Sequence, residues 1–179
     1  MYQLHSQTPL LSAPGSRWHV LQTLARQEKA LAKDLAARGV EHYLPLQANV
    51  RYYGRRKLTT QLPIFPGYLF LRGTLDDAYR ADRTKRVARI IEVSDQERLE
   101  SELAQIRLAL EAGVTLTPYL KLTKGTRVEV CTGPLRGMIG EVEDQVRPDR
   151  LILRVKTLGQ AVSLDIETAL IERLDALVA

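Results

Sequence analysis

The chain has one cysteine, Cys131, which excludes an internal disulfide and any multi-cysteine metal site and fits a reducing, cytoplasmic compartment. It has three histidines, His5, His19 and His42, and they share neither a helix nor a ligand spacing. No stretch approaches the roughly 20 apolar residues of a membrane span, so no membrane partner is expected. The first sixteen residues lack the basic start and apolar run of a targeting signal, and with Pro9, Pro14 and Gly15 they read as a flexible tail. A Ser/His/Asp set, a phosphate-binding loop and a dinucleotide fingerprint are missing, and acids such as Glu141 and Asp165 form no arranged dyad. The pattern argues against an enzyme, and no cofactor or metal is called for. Cys131, after a valine-rich strand and before Thr132-Gly133, reads as a small packed thiol rather than a nucleophile.

A 45% hydrophobic content over 179 residues is enough for a packed core in one or two domains. Lys and Arg number 26 against 21 Asp and Glu, a net charge of +5, which favours an anionic partner such as nucleic acid. The whole excess lies in residues 1–113, with 17 basic against 12 acidic residues, whereas residues 114–179 hold nine of each. Two dense stretches stand out as candidate phosphate contacts. The first is Arg51, Tyr52, Tyr53, Gly54, Arg55, Arg56 and Lys57, where the tyrosines could stack on an exposed base. The second holds Arg80, Arg83, Lys85, Arg86 and Arg89, opposed by Asp82 alone.

Periodicity predicts a first strand over Trp18–Gln22 and then a helix whose stripe is Leu24, Leu31 and Leu35 with Ala25, Ala32 and Ala36, stopped at Gly39. A short strand over His42–Leu46 and a hairpin over Val50–Leu62 with Gly54 at its tip follow. Next come a strand at Tyr68–Leu71, a helix near Leu75–Ala81 and a strand at Ala88–Val93, in the order βαβββαβ. Ser94 and Glu97 match a capping box for a helix with Leu99, Leu103, Ile106 and Leu110 on one face, ending near Gly113. Residues 114–124 show no strong period and read as a linker. Beyond it, short alternating strands at Arg127–Val130, Gly140–Glu143, Leu151–Val155 and Ala161–Leu164 are divided by turns at Gly133-Pro134, Arg147-Pro148-Asp149 and Gly159, which predicts a small β-barrel. The fold class is α+β: an antiparallel sheet flanked by helices, a linker, then the barrel. The expected domains are 17–113 and 125–179, joined by 114–124.

Aromatics make up only 6% of the chain, so their crowding in Phe65-Pro66-Gly67-Tyr68-Leu69-Phe70 matters. Pro66 and Gly67 kink the strand entrance, and Tyr68 and Phe70 alternate with Leu69 and Leu71 so that both faces are apolar. Such a strand is either buried on both sides or keeps one face for a partner, and periodicity leaves that choice open.

This run, followed by a linker and by Gly125-Thr126-Arg127-Val128-Glu129-Val130 and Gly133-Pro134-Leu135-Arg136-Gly137-Met138-Ile139-Gly140-Glu141-Val142, resembles the NusG family of transcription elongation factors. The aromatic run belongs to its amino-terminal (NGN) domain, and the glycine-rich segment looks like a KOW motif of an SH3-like barrel. The resemblance implies that Phe65, Pro66, Tyr68 and Phe70 bind the clamp helices of RNA polymerase. It implies that the basic hairpin at Arg55, Arg56 and Lys57 faces non-template or upstream DNA. Arg51, Tyr52, Tyr53, Arg83, Lys85 and Arg86 join it as candidate nucleic-acid contacts on their charge and rings alone, with nascent RNA as a further partner. A barrel surface of Leu135, Leu158 and Gln160 would meet a small-subunit ribosomal protein or Rho. Thr157-Leu158-Gly159-Gln160 departs from housekeeping members, which carry phenylalanine before the glycine and arginine after it. That departure points to a specialised, RfaH-like antiterminator that suppresses pausing or termination. The general factor, and an RNA-binding or ribosome-associated KOW protein, are the alternatives. β-Branched residues at Val128, Val130, Ile152, Val155 and Val162, with glycines between, predict that the carboxy-terminal domain rests as a barrel rather than a helical hairpin.

Overall fold

The computed structural model describes residues 15–119, 125–143 and 147–174. Most of the expected amino-terminal tail, including His5, and the second half of the expected linker lie outside these residues. The elements run β1 (Arg17–Thr23), α1 (Glu28–Ala37), β2 (Glu41–Tyr43), β3 (Leu46–Tyr53), β4 (Arg56–Pro63), β5 (Tyr68–Gly73), α2 (Leu75–Asp82), β6 (Val87–Glu92) and α3 (Gln96–Glu111). They continue as β7 (Thr117–Tyr119), β8 (Thr126–Val130), β9 (Ile139–Glu143), β10 (Arg147–Val155), β11 (Gln160–Asp165) and β12 (Ile171–Arg173). The chain divides into two compact units, Met1–Leu44 with Gly67–Ser94, and Pro45–Pro66 with Asp95–Ala179. The ribbon of β3 and β4 and helix α3 therefore group with the carboxy-terminal sheet, and the division does not follow the sequence boundary at 113. Among the described residues no helix is long and apolar enough to cross a membrane.

The first unit holds a four-stranded antiparallel sheet in the order β2-β5-β1-β6. Strand alternation sends Leu21, Leu69 and Leu71 to one face, where they pack with Leu31 and Leu35 of α1, Ala81 of α2 and Val87. Val20 and Phe70, paired across the sheet on the other face, are buried as well, so the two-sided apolar pattern marks strands buried on both faces. The stripe expected to begin at Leu24 starts later: Arg26 takes a left-handed φ of 61°, α1 begins at Glu28, and Leu24 is exposed. Helix α2 opens on a capping box absent from the sequence reading. Thr74 Oγ1 accepts from the Asp77 N–H, and the Thr74 N–H donates to Asp77 Oδ2 at 2.9 Å. The Thr74 hydroxyl, which donates to Asp77 Oδ2 at 2.7 Å, and the Thr74 N–H hold the Asp77 carboxyl below its usual range.

In the second unit β3 and β4 form a two-stranded ribbon on their own. Six antiparallel strands in the order β12-β8-β9-β10-β11-β7 form the carboxy-terminal sheet. The four expected strands are its centre; β7 and β12 are additions. Residues 117–119, expected to be linker, pair with β11 because Tyr119 buries its ring against Ile152 and Ala161. Arg147-Pro148-Asp149, expected to be a turn, lies inside β10 at a shift of register, where a strand tolerates proline. Helix α3 is capped by Asp95, not Ser94: the Asp95 carboxylate accepts from the Arg98 N–H at 3.0 Å. Its buried positions are Leu99, Leu103, Ile106 and Ala109 rather than Leu110. Two α3 side chains bond the sheet, Gln105 accepting from Ile139 N–H and Glu102 from Lys156 N–H, both at 3.0 Å. Burial pushes the Glu102 carboxyl up.

Candidate nucleic-acid and partner interface

Most residues of the ribbon are exposed, including nearly all of β4. Its tip turns through Gly54 at φ 58°, a left-handed angle that glycine tolerates, so β3 and β4 close without strain. The register pairs Tyr53 with Arg56, Tyr52 with Lys57, Arg51 with Leu58 and Asn49 with Thr60. Directly opposed residues share a face, and successive residues alternate. One face therefore carries Asn49, Arg51, Tyr53, Arg56, Leu58 and Thr60, while the other carries Val50, Tyr52, Lys57, Thr59 and Gln61. Tyr52 and Tyr53 are 70% and 62% exposed, too open to be explained as core. From His42 to Leu75 the sequence contains no aspartate or glutamate. Arg51, Arg55, Arg56 and Lys57 are exposed and have no ion-pair partner among the described residues. An unneutralised cationic ribbon with open aromatic rings can hold phosphates and stack bases.

At the base of the ribbon Gln47 fixes the chain ahead of β7. Its amide donates to the Leu116 carbonyl at 3.1 Å and accepts from the Leu116 N–H at 2.6 Å. Val50, Leu62, Pro63, Pro66, Leu116 and Pro118 border an open depression of about 400 Å³ beside this pair. Nothing in the periodicity marks Gln47, because its partner lies far away in sequence.

The second basic stretch is divided between structure and surface. Arg86 is committed: its Nε donates to Asp34 Oδ2 at 2.8 Å, and Nη1 bonds Gln27 Oε1. Arg80 pairs with Asp76 one helical turn away. Arg83 follows α2, and Lys85 takes a left-handed φ of 58°; both are exposed.

The aromatic run is likewise split. Phe65 and Phe70 are buried, at 1% and 0% exposure, and the structure does not offer them as surface. Pro66 is exposed and Tyr68 half-buried. Gly67, at φ 83°, gives its N–H to the buried Glu28 carboxylate at 2.7 Å, while its carbonyl accepts from the Thr23 N–H at 2.8 Å. Glu28, an unremarkable first-turn acid in the sequence, thus positions the entrance to β5. Arg72 lies over the Trp18 ring, 5.6 Å from its centre, and Trp18 is a first-strand core residue as expected.

Of the three expected barrel contacts, Leu135 is buried, and Leu158 and Gln160 are half-buried around Gly159, whose φ is 63°. Cys131 is half-buried, and desolvation, with the Glu172 and Glu129 carboxylates, holds its thiol above the usual range, so it resists forming a thiolate.

A family model described as "Transcription termination factor nusG" matches residues 16–107, just over half of the chain, and stops before the carboxy-terminal sheet. No curated protein matches the sequence. Two similar solved structures are conformations A and B of the MjSpt4:Spt5 complex, at 16% and 15% identity. Each alignment covers 88% of this chain, with 97% and 96% of the other chain and TM-scores of 0.29 and 0.28.

Proposed function

The chain belongs to the NusG family, and we propose that it is a specialised member that docks on RNA polymerase during elongation and suppresses pausing or termination. The observation that carries this reading is the family match over residues 16–107. Bound to the clamp helices, it would act in the cytoplasm without chemistry of its own, by disfavouring the opened, paused polymerase. Within the aromatic run Pro66 is exposed and Tyr68 half-buried, and these would make the contact, whereas Phe65 and Phe70 are buried. The cationic ribbon, with Arg83 and Lys85, would meet non-template or upstream DNA or nascent RNA at the polymerase surface. The altered loop Leu158-Gly159-Gln160 favours the specialised role over the general factor, because it lacks an aromatic anchor and a charged donor for a ribosomal protein or Rho.

Tyr68→Ser tests the docking without opening the core. Polymerase should be lost from an affinity pull-down while far-ultraviolet circular dichroism stays unchanged. Retained polymerase binding would remove Tyr68 from the interface, and capture of ribosomal proteins in place of polymerase would favour a ribosome-associated protein.

A further inference from the structure

The register of the ribbon separates its strand cations and rings into two unlike surfaces, with Arg55 in the turn between the strands. On one, Tyr53 stands directly opposite Arg56, Arg51 follows Tyr53 along the same strand with the exposed Leu58 opposite it, and the polar pair Asn49 and Thr60 continues the row. The other has the pair Tyr52 and Lys57, then Val50 with Thr59 and Ala48 with Gln61. Same-face residues along a strand repeat about every 7 Å. Asn49, Arg51 and Tyr53 thus form a straight row of hydrogen-bonding group, guanidinium and ring, with a second guanidinium beside the ring. Arginine suits this better than lysine, since its planar head can both fork onto a phosphate and stack on a base. The opposite surface offers a single ammonium, a compact and strongly hydrated charge. The stretch from His42 to Leu75 has no carboxylate that would repel an anion.

We infer that the Asn49, Arg51, Tyr53 and Arg56 face of the ribbon is a binding surface for single-stranded nucleic acid, and that the Tyr52 and Lys57 face is not. An unpaired strand lies along the row with a base stacked on Tyr53 and phosphates on Arg51 and Arg56. A duplex, whose bases are already stacked, cannot use the ring. This inference rests on the proposal above that the ribbon meets nucleic acid, and it adds which side chains do so and to what form of strand.

Two double variants of the full chain separate the faces. Tyr53→Ala with Arg56→Ala and Tyr52→Ala with Lys57→Ala each remove one ring and one cation, so their net charges and the loss of long-range attraction are matched. All four side chains are exposed, and equal melting temperatures would show that the fold is kept. Binding is read by fluorescence anisotropy with labelled single strands of about twelve nucleotides, as DNA and as RNA of one sequence, and with the corresponding duplex. The expected result is a loss of about tenfold or more for the Tyr53 and Arg56 variant, about threefold or less for the other, and weaker binding of duplex. The DNA and RNA arms tell which strand is preferred. Equal losses, or a larger loss on the Tyr52 and Lys57 face, would overturn the face assignment while leaving a nucleic-acid ribbon in place. If the unaltered chain bound no strand yet still captured polymerase, the ribbon proposal would fall and the docking reading would stand.

Discussion

Gly140 in β9 offers a sharp test of how the carboxy-terminal sheet is packed. A Cβ there would lie 2.7 Å from Leu151 Cδ1, 2.9 Å from Leu151 Cγ and 2.8 Å from the Ile152 carbonyl oxygen, where ordinary contact begins at 3.4 Å. Leu151 is fully buried, which leaves its side chain little room to turn aside, and the Ile152 carbonyl sits in a strand paired with β9, so it cannot move without parting the strands. Overpacking of this kind costs about 1–3 kcal/mol, and stiffening the unfolded chain by Gly→Ala returns about 0.4–1 kcal/mol. With a backbone oxygen among the contacts the clash lies in the upper part of that range, so Gly140→Ala should destabilise the sheet by about 1–2 kcal/mol net. Leu151→Ala alone should cost about 3 kcal/mol, within the range for a buried leucine. In the double variant both side-chain clashes disappear and only the Ile152 carbonyl remains, so its cost should fall short of the sum by about 1 kcal/mol. Urea unfolding followed by far-ultraviolet circular dichroism measures these values, with amide exchange at Val142 and Ile152 reporting the strands directly. Strict additivity, or a Gly140→Ala variant within about 0.5 kcal/mol of the parent, would refute the packing argument.

Glu28→Ala should cost about 1–3 kcal/mol, because it leaves the Gly67 N–H without its carboxylate, whereas Glu28→Gln keeps an acceptor and should cost less; thermal melts of the two variants decide it. His19 supplies a pH dependence. It is buried, its Nε2 has no hydrogen-bond partner among the described residues, and desolvation above all lowers its folded pKa below the ordinary 6.5. The unfolded chain therefore takes up a proton before the folded one does. This contribution to stability is present above pH 6.5 and is lost as pH falls from there through the folded value, with a slope of at most about 1.4 kcal/mol per pH unit. Urea midpoints between pH 7.5 and 5.5 should fall less steeply in His19→Gln than in the parent, and parallel curves would show that His19 is not the group responsible.

Local pattern made much of the fold legible. The alternation at Trp18–Gln22 and Tyr68–Leu71, the glycine at the ribbon tip and the β-branched runs at Leu151–Val155 and Ala161–Leu164 each announce their element within a few residues. What escaped depends on distant partners. Residues 117–119 look aperiodic, and become a strand because β11 has a free edge and Ile152 and Ala161 leave a place for Tyr119. Ser94 and Asp95 are both good caps, and composition alone cannot choose between adjacent candidates. The candidate site shows the same division. Exposure of the basic ribbon followed from its charge, and the alternation within Arg51–Lys57 already held the two faces, but only the cross-strand register says which residues stand opposite. Phe65, Phe70 and Leu135 show the converse limit: an apolar run looks alike whether it faces a partner or the core.

Strand β7 carries a consequence for how the chain can be divided. By pairing Thr117, Pro118 and Tyr119 with Ser163, Val162 and Ala161, it closes off one lateral margin of the six-stranded sheet, and its proline withholds a donor from anything approaching from outside. A fragment begun at Gly125, the natural cut by sequence, would strip that guard from β11 and lay bare unpaired backbone groups along Ala161–Ser163, a template for self-association. Starting the fragment ahead of Thr117 keeps the margin sealed.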